Sequence, residues 1–68
     1  MKIVYDQPTD TLTVVLRPEP VAESDEVRDG VILDYDAAGQ IVGLELLHAS
    51  RYIAQPETFS YELKPVTR

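Results

Sequence analysis

Residues 31–47 read Val31-Ile32-Leu33-Asp34-Tyr35-Asp36-Ala37-Ala38-Gly39-Gln40-Ile41-Val42-Gly43-Leu44-Glu45-Leu46-Leu47, and they decide the fold. Two β-prone runs flank a turn that starts with Asp36 and ends with Gly39. That chemistry fits a three-residue loop, a type I turn closed by a left-handed glycine. With Asp36 opposite Gln40, plain alternation sets Tyr35 against Ile41, Leu33 against Gly43, Ile32 against Leu44 and Val31 against Glu45. A glycine within a strand marks a bulge or a close approach; the plainer reading of Gly43 is that it leaves room for Leu33 and Tyr35. Ile32, Val42, Leu44 and Leu46 form a second apolar surface on the opposite face, and a strand apolar on both faces is usually covered on both.

Upstream, Ile3-Val4-Tyr5 is short and β-prone, and Asp6-Gln7-Pro8-Thr9-Asp10 is turn chemistry with φ fixed at Pro8. Thr11 to Leu16 alternates, with Leu12, Val14 and Leu16 on one face and Thr11, Thr13 and Val15 on the other. A first hairpin with a five-residue connection follows. Arg17-Pro18-Glu19-Pro20 is a loop, because each proline removes a ladder donor. The acid-rich stretch from Val21 to Asp29 offers at most a brief edge strand, Ser24 to Val27, whose charges discourage further pairing. Gly30 permits a bend before the next strand.

Downstream, the one helical candidate is residues 49–54, with Ser50 as cap and Pro56 as stop. It is too short to cover a sheet. Residues 58–63 alternate again, Phe59, Tyr61 and Leu63 against Ser60 and Glu62, which predicts a further strand or an arm that docks on a neighbour. The fold class is mainly β (α+β): a small antiparallel sheet of two hairpins, one short helix and a possible C-terminal strand, in a single domain over residues 1–68.

The chain has 68 residues, a net charge of −6, one His and no Cys or Trp. Ordering it costs on the order of 100 kcal/mol, which apolar burial must offset without disulfides. Close packing and self-association are the remaining ways to gain area, and a homodimer or a small protein partner is expected. Acidity disfavours nucleic acid, whose affinity comes largely from Lys and Arg, and acidic membrane surfaces for the same reason. The apolar runs are too short to span a bilayer. Met1-Lys2-Ile3-Val4-Tyr5-Asp6 lacks the apolar core of a signal peptide, and nothing marks the chain for an oxidising compartment. The expected location is the cytoplasm.

Candidate chemistry is sparse. His48 is the only imidazole; a catalytic role would need an orienting carboxylate and a nucleophile, and Glu45 and Ser50 are near it only in sequence. Asp34 and Asp36, two apart on a strand, project to one face, but Asp36 is accounted for by its turn. Glu23, Asp25, Glu26 and Asp29 read as a solvated edge; Asp25 to Gly30 fails the calcium-loop pattern because Val27 stands where an oxygen ligand belongs. Gly30, Gly39 and Gly43 do not have the spacing of a phosphate-binding loop. No catalytic, cofactor-binding or metal-ligating residue is assigned, and no cofactor is expected.

Three stretches together carry a resemblance. They are Met1 to Asp6 with Asp10, Leu12 and Val14; Glu23 to Val27 followed by Gly30 to Asp36; and Gly39 to Ser50, with Asp34 to Glu45 the most specific part. Over residues 1–50 the chain resembles the small prokaryotic family known as domain of unknown function 2283. The resemblance implies a compact, mainly antiparallel β domain, brings no catalytic residues, and suggests an antitoxin-like role beside a small basic RNase-type toxin.

The expected function is a non-enzymatic protein-interaction or self-associating β domain. The alternatives are that antitoxin-like partner, and a small enzyme or ligand-binding protein using Asp34, Glu45 or His48 at a dimer seam.

Overall fold

The structure, a computed structural model, describes residues 1–67. Five strands, β1 (Lys2–Asp6), β2 (Thr11–Val15), β3 (Glu23–Arg28), β4 (Val31–Tyr35) and β5 (Ile41–Leu46), form one antiparallel sheet in the order β1-β2-β5-β4-β3. Both expected hairpins are present, but they are not the whole sheet. The brief edge strand expected at Ser24–Val27 is a full six-residue strand, hydrogen-bonded to β4 from Glu23 to Arg28. The charges there do not prevent pairing with β4, because all six residues stay exposed on an edge that water can reach.

The turns form as their residues dictate. Asp36 N donates to Gln40 O at 2.9 Å, and Asp36 Oδ1 accepts the Ala38 and Gln40 amides at 2.9 Å, closing the loop with Gly39 at φ +81°. The first connection has four residues rather than five, since Asp6 and Thr11 still pair.

The register of β4 on β5 departs from plain alternation. Tyr35 lies opposite Ile41 as expected, but Asp34, not Leu33, lies opposite Gly43, and Leu33 faces Leu44, Ile32 faces Glu45 and Val31 faces Leu46. Val42 is the extra residue of a β-bulge. Its carbonyl also accepts both the Leu16 and Arg17 amides, at 2.8 and 3.2 Å. One inserted residue inverts the parity of everything beyond it. The space at Gly43 is therefore not filled by Leu33 and Tyr35.

Parity then sorts the faces. Rows across the sheet run Ile3–Val14–Leu44–Leu33 and Tyr5–Leu12–Leu46–Val31 on one side. On the other they run Lys2–Val15–Gly43–Asp34–Ser24 and Val4–Thr13–Glu45–Ile32–Glu26. The expected second apolar surface is replaced by a mixed face carrying three carboxylates, Asp34, Glu45 and Glu26, among Val4, Val15 and Ile32. The core lies against the continuous apolar face, where Val42 is 2 % exposed.

The expected helix at 49–54 is a single 3₁₀ turn, Ala49–Arg51. His48 enters it in the left-handed region (φ 52°) and Tyr52 leaves it, so no second turn forms. Ala49 is fully buried. Arg51 Nη1 lies 3.5 Å from Asp29 Oδ2, and the Tyr52 hydroxyl donates to Asp29 O, tying the turn to the β3–β4 connection. Ile53 and Pro56 then border a groove with Ile3, Leu12 and Val14 on the apolar face.

The possible strand at 58–63 is not formed: beyond Thr58 the described chain belongs to no strand, and Phe59, Tyr61 and Leu63 are 64, 71 and 73 % exposed. A slab results, 43 × 33 × 19 Å with a radius of gyration of 13.7 Å, against about 11 Å for a compact chain of this length.

Candidate functional site

Two groups of polar side chains do more than solvate the surface. The first is on the mixed face. The bulge places Asp34 beside the one position in β5 that has no side chain, and Asp34 is 6 % exposed. Its Oδ2 lies 3.5 Å from where a Gly43 Cβ would stand, and that Cβ would be only 2.9 Å from Val14 O. A side chain at 43 would collide with the neighbouring strand's backbone, so glycine admits the carboxylate. Ser24 Oγ donates to Asp34 Oδ1 at 2.6 Å from β3.

Glu45 is two residues from Gly43 on the same face, half-buried, with its carboxyl on Asp34. Burial first, then the hydrogen bond with Asp34 and the negative charge of that neighbour, push Glu45 above the ordinary carboxylate range. A protonated Glu45 donates to Asp34; an ionised one faces a second negative charge. Because its folded value is raised, the contribution of Glu45 to stability is fully present below the value in the unfolded chain. It is lost as pH rises through the folded value. We therefore expect Glu45→Gln to raise Tm at pH 7 and to change it little below about pH 4. A fall in Tm at pH 7 would contradict the paired arrangement. Asp34→Asn, which keeps the oxygen that accepts from Ser24, is expected to bring the Glu45 titration, followed by carboxyl NMR, back toward the ordinary range.

The second group is centred on Asp10, which the sequence identified only as part of a turn. Asp10 has φ +54°, a conformation that aspartate tolerates better than most residues. Its Oδ1 accepts the Tyr5 hydroxyl at 2.7 Å and the Ser50 amide at 3.1 Å, and its Oδ2 accepts the Ser50 hydroxyl at 2.6 Å. Its carbonyl accepts the Ala49 amide at 2.8 Å. The carboxylate thus caps the 3₁₀ turn from the start of the neighbouring strand β2. The Ser50 hydroxyl and then the Tyr5 hydroxyl hold Asp10 below its ordinary value. The bond to Asp10 in turn pushes Tyr5 up to about 12.

The remaining residues weighed from the sequence do not converge on these groups. His48 is exposed and does not cap the turn that it enters, and the Ser50 hydroxyl is given to Asp10. Asp36 is committed to its loop. Glu26 Oε2 accepts the Gly30 amide at 2.8 Å, and Glu23 and Asp25 stay on the open edge. Among the described residues no three His, Cys, Asp or Glu are grouped as metal ligands. No helix among them is long and apolar enough to cross a membrane.

Ser24 and Asp10 were not legible as site residues. Ser24 meets Asp34 only through the β3–β4 register, and Asp10 meets Ser50, 40 residues away, only because β2 and β5 pair.

No curated protein and no solved structure matches the chain. A family model described as "Protein of unknown function (DUF2283)" matches residues 2–50, which hold all five strands, the Val42 bulge, the Asp34–Glu45 pair and the Asp10–Ser50 contact. A single sheet whose defining turn, bulge and polar pairs all fall within that match covers most of the 68 residues, and the chain belongs to the DUF2283 family.

Proposed function

We propose that this chain is a non-enzymatic, self-associating β domain of the cytoplasm, completed by a second copy of itself. The observation that carries this reading is area. The described chain exposes 5456 Å², about 1,200 Å² more than the roughly 4,300 Å² of a monomeric protein of this mass. A stable interface removes about 800 Å² from each partner, so the excess suits a dimer contact.

The chemistry of the excess agrees with its size. Met1, Val4, Val21, Val27, Phe59, Tyr61, Leu63 and Val66 are all exposed, while Val42 and Ala49 are the only fully enclosed apolar side chains among the described residues. The apolar face itself is only half covered, with Ile3, Leu12, Val14, Leu33, Leu44 and Leu46 all half-buried, which leaves area to gain in a chain whose ordering costs on the order of 100 kcal/mol.

A second reading rests on a separate observation, the edge strand β3. Its residues Glu23, Asp25 and Glu26 are exposed in a chain of net charge −6. Such an edge favours a small basic protein partner, chiefly through association rate, and would give the antitoxin-like role that the family resemblance suggests.

Linkage tests the first reading. A domain that folds as a dimer melts at a temperature that rises with protein concentration. We expect Tm to climb by several degrees between about 1 and 100 μM; a Tm constant over that range would contradict self-association.

A further inference from the structure

We infer that the C-terminal segment from Thr58 to Lys64 is an exchanged arm that adds as a sixth strand to the β1 edge of a second copy. The inference rests on the self-association proposed above and names the contact that produces it.

Four observations converge on it. The arm has the alternation of a strand, with Phe59, Tyr61 and Leu63 on one side, yet it pairs with nothing in its own chain and leaves all three rings and branches largely in water. It is bounded by Pro56 and Pro65, of which the second stops any ladder by removing a donor. It leaves its own sheet beside β1, where Phe59 and Tyr61 border a groove with Met1, Ile3 and Tyr5. And β1 is one of only two edges of the sheet.

The other edge, β3, is unsuited to receive it. Glu23, Asp25 and Glu26 would confront Glu62, and the irregular register between Glu26 and Arg28 interrupts a regular ladder. Along β1 an antiparallel register with Glu62 opposite Lys2 satisfies every position. It sets Tyr61 against Ile3 and Phe59 against Tyr5, extending the apolar face, and Ser60 against Val4 on the mixed face. Cross-strand pairs of aromatic with aromatic or branched side chains and of opposite charges are those that stabilise sheets. Main-chain hydrogen bonds along a free edge supply the affinity. Reciprocal exchange of two identical arms closes the assembly at a dimer.

The chain has no cysteine, so engineered pairs report without background. We would mix Val4→Cys chains with Ser60→Cys chains, oxidise them, and weigh the products, with Ser24→Cys plus Ser60→Cys as the control for the other edge. The expected result is a Val4–Ser60 cross-linked pair of two chains and no product from the control. Tyr61→Asp, at a position already 71 % exposed, is expected to weaken dimerisation at least tenfold while the circular dichroism spectrum stays that of a sheet. A dimeric mass with no Val4–Ser60 cross-link, or with Val4–Val4 cross-links alone, would overturn the arm and leave self-association standing. In a chain carrying both Val4→Cys and Ser60→Cys, a disulfide formed only within the chain would overturn exchange between copies. A monomeric mass throughout would overturn both.

Discussion

Gly43→Ala is expected to lower stability by about 1–3 kcal/mol, the range for forcing extra volume into a packed site. In a domain this small each kcal/mol moves Tm by roughly 4–8 °C. The sign is what makes the result informative. An alanine in a strand ordinarily gains up to about 1 kcal/mol by restricting the unfolded chain. Here the new Cβ would lie 2.9 Å from Val14 O, a backbone atom held between β1 and β5, and 3.5 Å from Asp34 Oδ2. Neither neighbour has an easy retreat: Val14 is locked in two ladders and Asp34 is anchored by Ser24. Gly39→Ala is the control. Nothing stands within 4 Å of its Cβ, and its cost is torsional alone, about 1 kcal/mol for a left-handed alanine. A neutral or stabilising Gly43→Ala, measured by thermal unfolding, would mean that Val14 O does not close on Gly43 as the β2–β5 pairing places it.

Asp10→Ala is expected to lower Tm by roughly 5 °C at pH 7, the scale of losing a helix cap in a small domain. It removes the acceptor for the Tyr5 hydroxyl and for both the amide and the hydroxyl of Ser50. The 3₁₀ turn, with Ile53 and Pro56 behind it, should then loosen from the sheet, seen as faster amide exchange at Ser50 and Arg51. The pH dependence follows from the direction of each shift. Asp10 is depressed when folded, so its contribution is present above the unfolded carboxylate value, near 4, and lost as pH falls through the folded one. Tyr5 is raised to about 12, so its contribution is full below about 10 and lost as pH rises through 12. A tyrosinate absorbance step near 12 that moves down in Asp10→Ala would tie both shifts to one hydrogen bond. If the step stays near 12 in that variant, Asp10 is not its cause.

The difference between what the sequence disclosed and what it hid follows the range of each interaction. The loop at Asp36–Gly39 was legible because its hydrogen bonds close within five residues and need one left-handed glycine. The bulge at Val42 was signalled only by Gly43, since a glycine within a strand marks a bulge or a close approach without fixing the register, yet it reversed which side of β4 meets Gly43. Leu33 was therefore expected where Asp34 stands, and a second apolar face where Asp34 and Glu45 meet. The helix expected over 49–54 ended at Arg51 because His48 starts it in a left-handed conformation and Ile53 drops onto the apolar face. That choice is made by the sheet beneath, not by the propensities of Ala49 to Ala54. Alternation from Phe59 to Leu63 was legible as strand chemistry, and within one chain that segment finds no edge.

The alternation of the arm, the excess of exposed area and the half-covered apolar face converge on one claim, that the folded unit holds two chains. Native mass spectrometry of the purified 68-residue chain at about 10 μM tests it most directly. The account requires a principal species of twice the 7.6 kDa chain mass, dissociating on dilution; a single chain at every concentration, with its sheet intact by circular dichroism, would contradict it.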